Sequence, residues 1–300
     1  MTQFVENLMS RASKLSKTIA LAEGTDVRAA KAAEILTQKN VCKVVLIGNE
    51  EEIKTKFPEI DFTGVSFDDP KTSEHRAEYA NTLYELRKAK GMTEEQALNI
   101  VTTNNMFYAC VALKRGDVDG VVGGAVFSSA DVSRAAFQVI KAAPGISSVS
   151  SCFVMVPPED FKYKKYPAYI FSDCAVIPYP TSDQLSDIVV AAADSAKKIC
   201  EMDPKIAMLS FSTKGSANHE SVEKVRVAYQ KVKEEHPDID VDGELQLDAS
   251  LVDSVANQKA PGSPVAGKAN VLVFPNLDAG NIGYKIAQRF GNCMAIGPIM

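Results

Sequence analysis

The stretch that decides the fold is residues 271–300, which read VLVFPNLDAGNIGYKIAQRFGNCMAIGPIM. Residues 271–274 form a short β-branched and aromatic run that is typical of a buried parallel strand, and a proline ends it. Gly280 and Gly283 predict a loop whose backbone approaches a ligand closely, followed by a helix over about residues 282–290. The start of that helix would present unpaired N–H groups and the positive end of its dipole. The pattern predicts a place for an anion, and the alternative is an ordinary strand–loop–helix connection.

A second stretch of this kind is residues 123–134, GGAVFSSADVSR, which follows a short predicted strand. Its two glycines permit close backbone approach, and Ser128 and Ser129 offer hydroxyl and N–H groups. The periodicity predicts a helix over residues 131–141 with Arg134 in its first turn. Because a cation is unfavourable at the positive end of a helix dipole, we expect an anion to bridge the helix start and Arg134.

Strand and helix patterns alternate along almost the whole chain, which indicates an α/β fold with parallel strands. The first repeat predicts a strand over residues 18–21, a helix over 27–38 and a strand over 43–47. Arg28 lies in the first turn of that helix and Arg87 on a later helix predicted over residues 74–90. Each is a candidate anion ligand, and the alternative for each is an ordinary solvated helix charge.

The second half continues the alternation after a break at residues 143–145, Ala-Pro-Gly, where we expect a domain boundary. Lys214 lies in a Lys-Gly-Ser string that lacks the first glycine and the spacing of a P-loop, so a P-loop is rejected. The remaining predicted strands lie at residues 149–156, 168–171, 206–210 and within 244–248, and the helices at 182–200, 221–236 and around 250–257.

Composition excludes several classes of protein. With 300 residues, 46% of them hydrophobic, the chain can form two ordinary domains, and its net charge of −5 argues against a nucleic-acid-binding protein. No apolar run is long enough for a membrane helix and no signal peptide is recognisable, so we expect a cytoplasmic protein. The six cysteines form no CxxC pair and the three histidines no HExxH, so neither a disulfide framework nor a metal site is predicted.

Several strings together resemble the phosphotransacetylase branch of the phosphate acetyl/butyryl transferase family: GGAVFSSADVSR, FSDCAVIP, SFSTKGSA, GELQLDA, SPVAGKANVLVFPNLDAGNIGYKIAQR and AIGP. The resemblance covers nearly the whole chain. It implies a fold like that of isocitrate and isopropylmalate dehydrogenases, with two α/β domains around a cleft. We expect the domains at residues 1–144, rejoined by the C-terminal end from about residue 297, and at 145–296.

The resemblance also implies an activity, which is the reversible transfer of an acetyl group between coenzyme A and inorganic phosphate. The thiol attacks acetyl phosphate directly, without a covalent acetyl-enzyme. Coenzyme A is then a substrate, no cofactor is tightly bound, and the protein is expected to be a homodimer.

Site residues follow from the matched positions. Arg87 and Arg134, and more weakly Arg28, match arginines that bind phosphate and the phosphates of coenzyme A. Ser128 and Ser129 match the loop along the acetyl phosphate site, and with Arg134 they are the predicted catalytic residues. Phe127 stands where many members have a histidine. The predicted substrate-binding residues of the second domain are Lys214, Asn276, Asn281 and Gly283, and we expect them to face the cleft.

The sequence departs from the family pattern at Met300, where it ends in AIGPIM. Family members continue with an Asn-Asp-Leu-Ser-Arg-Gly string and an aspartate, to which the resemblance assigns charge stabilisation, phosphate binding and proton abstraction from the thiol. The sequence is therefore either a shortened form of a complete enzyme or a protein without that segment. We expect these 300 residues to turn over at least ~10³-fold more slowly than a chain that carries the segment, and still to bind phosphate.

Three alternatives remain open at this point. A phosphate butyryltransferase shares the reaction, and pocket volume would separate the two acyl chains by about 1 to 3 kcal/mol per methylene. A metal-dependent oxidative decarboxylase shares the fold, but the sequence offers no pair of carboxylates on one helix face and no GxGxxG loop. A non-catalytic binding module is the third alternative, and it follows only from the absent segment.

Overall fold

The computed structural model describes residues 2–142 and 148–300. The chain divides into two compact units, Met1–Lys141 (unit 1) and Ala142–Met300 (unit 2). The predicted boundary at residues 143–145 lies outside the described residues. The predicted domain limits, including the return of the C-terminal end to the first domain, stay predictions.

Unit 1 is a four-stranded parallel sheet with helices, in the strand order β3-β2-β1-β4. The predicted α/β class is confirmed here, and the first strand, helix and strand have the predicted bounds. The elements are α1 (Gln3–Ser13), β1 (Thr18–Leu21), α2 (Val27–Gln38), β2 (Lys43–Ile47), α3 (Glu50–Lys56), β3 (Val65–Asp68), α4 (Arg76–Arg87), a 3₁₀ turn (Lys88–Lys90), α5 (Glu94–Thr103), α6 (Asn105–Arg115), β4 (Gly120–Val122) and α7 (Ser129–Val139).

Unit 2 has a six-stranded mixed sheet in the order β10-β5-β6-β9-β7-β8. Strands β6, β9, β7 and β8 are parallel to one another, and β5 is antiparallel to both β6 and β10. The elements are β5 (Cys152–Val156), β6 (Tyr169–Ser172), α8 (Ser182–Cys200), β7 (Ile206–Leu209), α9 (Glu220–Glu235), β8 (Val241–Leu245), α10 (Leu247–Leu251), α11 (Asp253–Lys259), β9 (Val271–Val273), α12 (Leu277–Arg289) and β10 (Met294–Ile299).

Each unit has hydrophobic cores of its own. In unit 1, one cluster of buried side chains lies around Tyr79, Leu83 and Tyr108, and another around Leu46 and Ile53. In unit 2, a cluster joins strands β5, β6, β7 and β9 to residues 256–269. Strands β5, β7 and β9 of unit 2 are buried along their whole length, and this packing holds their ends in fixed positions.

Helix α12 begins earlier than predicted. It starts at Leu277 because the Asn276 side chain caps it, accepting the Ala279 N–H at 2.9 Å, so the predicted start near residue 282 is wrong. Gly280 and Gly283 therefore lie inside the helix and not in a loop. A Cβ at Gly280 would lie 2.2 Å from the Asp173 carbonyl oxygen. That glycine admits another segment of the protein's own backbone, and helix packing explains it.

Helix α7 is also displaced from its predicted position. It runs from Ser129 to Val139, with Ser128 as its N-cap, and not over residues 131–141. Arg134 consequently lies in the second turn, where the helix dipole disfavours a cation much less than in the first. The argument that its position requires an anion is wrong for this reason.

Strand β8 ends before most of the segment predicted for it. The strand is Val241–Leu245, and two short helices, α10 and α11, replace the single helix expected around residues 250–257. The sequence VDGEL does not indicate a buried strand, because Asp and Glu are usually surface residues. Asp242 and Glu244 are nevertheless only 2% exposed. Both carboxylates are paired inside unit 2, as described below, and this pairing makes their burial possible.

Candidate active site

In unit 1, the loop that follows β4 wraps around a buried carboxylate. Glu23, just after β1, is 7% exposed. Its Oε2 accepts the N–H groups of Gly124 and Ala125, both at 2.8 Å, and its Oε1 accepts those of Val126 and Phe127 at 2.5 and 2.6 Å. Gly124 has a φ of 105°, a conformation that favours glycine. The loop thus forms the converging N–H arrangement typical of anion sites, and the protein's own carboxylate fills it.

Arg28 contacts the same loop from the start of α2. It donates from Nε to Asp26 Oδ1 at 2.8 Å and from Nη2 to Asp26 Oδ2 at 3.0 Å, and it also bonds the Ala125 carbonyl. These hydrogen bonds from Arg28 lower the pKa of Asp26 to about 2. The Arg28 side chain is nevertheless 65% exposed, so the guanidinium remains accessible to a ligand.

Ser128, Asp131 and Arg134 form a chain of hydrogen bonds at the start of α7. Ser128 Oγ accepts the Asp131 N–H at 3.2 Å and donates to Asp131 Oδ2 at 2.7 Å, and Arg134 Nη1 donates to Asp131 Oδ1 at 2.8 Å. The bond from Ser128, and then the charge of Arg134, lower the pKa of Asp131. Ser128 and Ser129 are exposed, and the Arg134 side chain is 57% exposed. The structure therefore brings four of the predicted residues, including Arg28, to one loop and its helix.

Arg87 stands apart from this group in the hydrogen-bond network. It is the last residue of α4, and its side-chain Nε is buried with no hydrogen-bond partner among the residues that the structure describes. An unpaired guanidinium nitrogen inside a protein calls for an acceptor, and a bound anion would supply one.

In unit 2, a second buried carboxylate organises the loop after β6. Asp173 is 3% exposed, and its Oδ1 accepts the Ser151 N–H at 3.2 Å and hydroxyl at 2.5 Å. The N–H groups of Ala175 at 3.0 Å and Ile177 at 2.7 Å also donate to this carboxylate. Asn281 on α12 donates to the Cys174 carbonyl at 3.1 Å, so α12 and this loop are held together.

The predicted residues on α12 already have partners in the protein. Asn276 caps the helix, and Asn281 Oδ1 accepts from Lys285 Nζ at 2.7 Å in addition to its bond with Cys174. A Cβ at Gly283 would lie 3.0 Å from Phe274 Cε1, so this glycine lies against an aromatic ring. In the first turn of α12, the Leu277 N–H donates to the Pro178 carbonyl at 2.9 Å and the Ala279 N–H to Asn276.

Lys214 is paired with a carboxylate on β8. Its ammonium bonds Asp242 and donates to the Gly243 carbonyl at 3.1 Å, and it lies 5.1 Å from the centre of the Tyr229 ring. Asp242 is buried, so Lys214 neutralises a charge inside unit 2. The backbone of Lys214 has a φ of 47°, in the left-handed region.

A fourth buried carboxylate, Glu244, lies near the end of β8. Its Oε1 accepts the Gly215 N–H and the Ser212 hydroxyl, both at 2.8 Å, and its two oxygens accept from Arg226 at 3.1 and 3.2 Å. Burial raises the pKa of Glu244, but the hydrogen bonds from Arg226 and Gly215 outweigh it and lower the pKa to about 2.

Sequence reasoning missed Glu23, Asp173 and Glu244 as organising residues. For Glu23 and Asp173 the signal is an acidic residue just after a strand rich in apolar residues, whereas Glu244 lies inside the polar sequence VDGEL, which gives no such signal. Loop N–H groups gather at that edge of a parallel sheet, and a carboxylate placed there accepts them.

The described residues contain no group of three or more His, Cys, Asp or Glu side chains that would hold a metal ion. Among them, too, no helix combines the length and the apolar character needed to cross a membrane.

Comparison with known proteins places this chain in a family. The family model described as phosphate acetyl/butaryl transferase matches residues 3–300. A phosphate acetyltransferase of Acetivibrio thermocellus is 48% identical over 296 residues, which are 99% of this chain and 89% of that protein.

Solved structures agree with the fold. A phosphotransacetylase from Streptococcus pyogenes superposes with a TM-score of 0.89 at 38% identity, covering 100% of this chain and 90% of that one. A 4-hydroxythreonine-4-phosphate dehydrogenase from Klebsiella pneumoniae covers 94% of this chain and 88% of its own, with a TM-score of 0.51 at 13% identity, a likeness of fold alone. The chain belongs to the phosphate acetyl/butyryl transferase family.

Proposed function

We propose that the protein is a phosphate acetyltransferase, which transfers an acetyl group reversibly between acetyl-coenzyme A and inorganic phosphate. Relatives that are 40 to 48% identical bear that name. The structural observation that carries the proposal is the exposed group at the start of α7: Ser128, Ser129 and Arg134 belong to the loop and its helix, and Arg28 on α2 bonds the Ala125 carbonyl of that loop. From the family resemblance, the proposal includes a homodimer that works in the cytoplasm.

The proposed reaction is a direct displacement. The sulfur of coenzyme A forms a bond to the acetyl carbon of acetyl phosphate, the bond from that carbon to the phosphate oxygen breaks, and the thiol proton leaves to a base. A thiol with a pKa of roughly 8.5 is mostly protonated at pH 7, so the proton transfer is part of the barrier. No acetyl-enzyme is formed in this proposal.

The charges that develop in this step match the residues at α7. The leaving phosphate gains negative charge as the carbon–oxygen bond breaks, and Arg134 and Arg28 are the exposed cations next to the loop. The Ser129 hydroxyl lies at the same helix start, and the Ser128 hydroxyl is proposed to exchange its bond with Asp131 for one with the substrate. Preorganised donors of this kind contribute about 10² to 10³ each in rate when they face the developing charge.

The other predicted ligands are proposed to have separate roles. Arg87 is assigned to an anionic group of a substrate because its buried Nε has no partner among the described residues. Asn276, Asn281 and Gly283 are proposed to border the substrate while they hold α12. Lys214 is proposed to contribute charge in addition to its pairing with Asp242.

The test is the formation of acetyl-coenzyme A from acetyl phosphate and coenzyme A, followed by thioester absorbance, with butyryl phosphate beside it. We expect acetyl phosphate to be the better substrate. Comparable or better rates with butyryl phosphate would make the protein a butyryltransferase, and no thioester from either would refute the proposal.

Substitution of Arg134 locates the site. Arg134→Gln removes the charge and keeps a polar side chain, and we expect kcat/KM for acetyl phosphate to fall about 10²-fold or more. The matched control is Lys54→Gln, because Lys54 is also an exposed helix cation in an ion pair, with Glu50 at 2.6 Å. Equal rates for the two variants would place the chemistry away from α7.

A further inference from the structure

Four consecutive N–H groups converge on Glu23, and they lead directly to the helix cap. The bonds from residues 124–127 are 2.5 to 2.8 Å long, and the next residue, Ser128, caps α7. The four residues before the cap are therefore fixed by one side chain. The carboxylate belongs to the β1–α2 connection and is separated from the loop by about a hundred residues of sequence.

The start of α2 also holds the loop, by one of its carbonyl groups. Arg28 bonds the Ala125 carbonyl, whose own residue donates its N–H to Glu23. One loop residue is thus held in both directions. An ordinary turn needs no such external support, because its hydrogen bonds close within itself.

A converging set of N–H groups is otherwise a binding site for a free anion. Here a carboxylate that is 7% exposed occupies it, so a phosphate group does not need to order the loop when it binds. The donors for a substrate at this place are at the start of α7: the Ser129 hydroxyl, the Ser128 hydroxyl once it gives up its bond to Asp131, and Arg134 in the second turn.

We propose that Glu23 is a positioning residue for acyl transfer, one that takes the place of an anion in the loop and so holds Ser128, Ser129 and the start of α7 ready for acetyl phosphate. This inference rests on the proposed function. Glu23 itself touches no substrate in it. Misplacement of catalytic groups by about 1 Å costs about 10²-fold in rate, which sets the size of the expected effect.

The experiment compares Glu23→Gln and Glu23→Ala with the wild type. The amide of Gln opposes two N–H donors with an NH₂ group, and Ala leaves a space of carboxylate size. We expect kcat/KM for acetyl phosphate to fall about 10²-fold in both variants. Added formate should raise the kcat/KM of Glu23→Ala at least tenfold, because formate can enter the space, and should not change the kcat/KM of Glu23→Gln.

The matched control is Glu34→Gln. Glu34 lies on α2 and also accepts a backbone N–H, that of Asp61 at 2.8 Å, but away from the loop. We expect its kcat/KM to stay within about twofold of the wild type. Hydrogen exchange should be faster over residues 124–127 in both Glu23 variants, slow again in Glu23→Ala with formate, and unchanged in Glu34→Gln.

Several outcomes would overturn the inference. Wild-type kcat/KM in both Glu23 variants would do so, as would a loss that disappears when rates are divided by the folded fraction. If neither variant folds, Glu23→Asp keeps the charge but is one methylene shorter, and a wild-type kcat/KM for it would also contradict the proposal. If the wild type is inactive on acetyl phosphate, the proposed function is refuted instead. Hydrogen exchange still tests the inference in that case: if formate does not slow exchange over residues 124–127 in Glu23→Ala, the inference is overturned.

Discussion

At the scale of single residues, three buried carboxylates have the same structural role: each accepts hydrogen bonds at or near the carboxyl end of a strand. Glu23, Asp173 and Glu244 each accept two or more bonds from loop N–H groups or from a cation and hydroxyls. A buried, ionised carboxylate is stable only when such donors replace its lost hydration. The loops are consequently shaped by the protein's own anions.

Glu244 allows a prediction about pH. Its pKa is lowered from 4.5 to about 2, so in the folded protein it stays charged well below the ordinary value. A depressed pKa contributes stability that is complete above about pH 4.5 and is lost as the pH falls toward 2. We expect Glu244→Gln to lower the free energy of unfolding of unit 2 by on the order of 3 kcal/mol at pH 7, and by progressively less below pH 4.5.

Urea unfolding of both proteins at pH 7, 4.5 and 3 measures this difference. The control is Glu223→Gln, since Glu223 also pairs with Arg226, at 3.6 Å, but its side chain is 61% exposed. That surface pair should contribute less than about 1 kcal/mol. A Glu244 effect of constant size from pH 7 to 3 would show that its charge is not the cause.

Gly280 and Gly283 allow a second prediction, because the two glycines share one helix and differ in what they touch. Alanine in a helix interior is favoured over glycine by about 1 kcal/mol at either position. At Gly280 the new Cβ would lie 2.2 Å from a backbone oxygen, whereas at Gly283 it would lie 3.0 Å from the edge of a side-chain ring.

We therefore expect Gly280→Ala to destabilise the protein by about 1 to 3 kcal/mol and Gly283→Ala to change stability by less than about 1 kcal/mol. Thermal or urea unfolding of the two variants is the measurement. Equal stabilities would mean that α12 does not approach the Asp173 backbone as closely as described.

At the scale of elements, the cap of α12 separates a structural role from a binding role. Asn276→Ala removes the cap and should cost about 1 kcal/mol, whereas Asn276→Asp keeps a capping oxygen and should retain stability. If Asn276 also borders an anionic substrate, the added negative charge of Asp should raise KM for acetyl phosphate at least about tenfold.

Unfolding and initial rates of both variants measure the two effects. Thr93→Ala is the control, because Thr93 caps α5 in a complete capping box within unit 1. It should lose similar stability without a change in KM. An Asn276→Asp variant with the wild-type KM would remove Asn276 from the substrate-binding residues.

The elements that could be predicted from sequence are those whose signal is local. Helix α8 has the predicted bounds because Thr181 and Gln184 form a capping box ahead of a clear apolar periodicity. Strand β8 was placed wrongly because its polar residues are buried only through partners distant in sequence, such as Arg226 and Lys214. The start of α12 was misplaced because its two glycines indicated a loop, and the contact that requires Gly280 is with Asp173.

The candidate site follows the same division. The loop at residues 123–134 was identified from its glycines, its serines and the family resemblance. Its central interaction, with Glu23, was not predictable, since no pattern links that residue to a loop about a hundred positions away. Helix α7 starts two residues before its predicted start, so Arg134 lies in the second turn and the helix dipole no longer requires an anion beside it.

At the scale of the whole molecule, each unit has its own sheet and its own hydrophobic clusters, so we expect the two units to respond separately to local damage. Gly280→Ala lies in unit 2 and Glu23→Ala in unit 1. Amides that exchange through unfolding of a unit should exchange about tenfold faster for every 1.4 kcal/mol that the unit loses. We expect Gly280→Ala to accelerate exchange in β6 and β9, and Glu23→Ala in β1 and β2.

Hydrogen exchange read by peptide is the suitable measurement, because the chain has no tryptophan and its nine tyrosines lie in both units. The two variants serve as controls for each other: each should leave the strands of the other unit at the wild-type rate. Equal acceleration of β1 and β9 by Gly280→Ala would mean that the chain unfolds as one cooperative body. A substitution in either unit would then lower the stability of the loop at Glu23 and of α12 alike. Activities of the variants would have to be corrected for the folded fraction in every comparison.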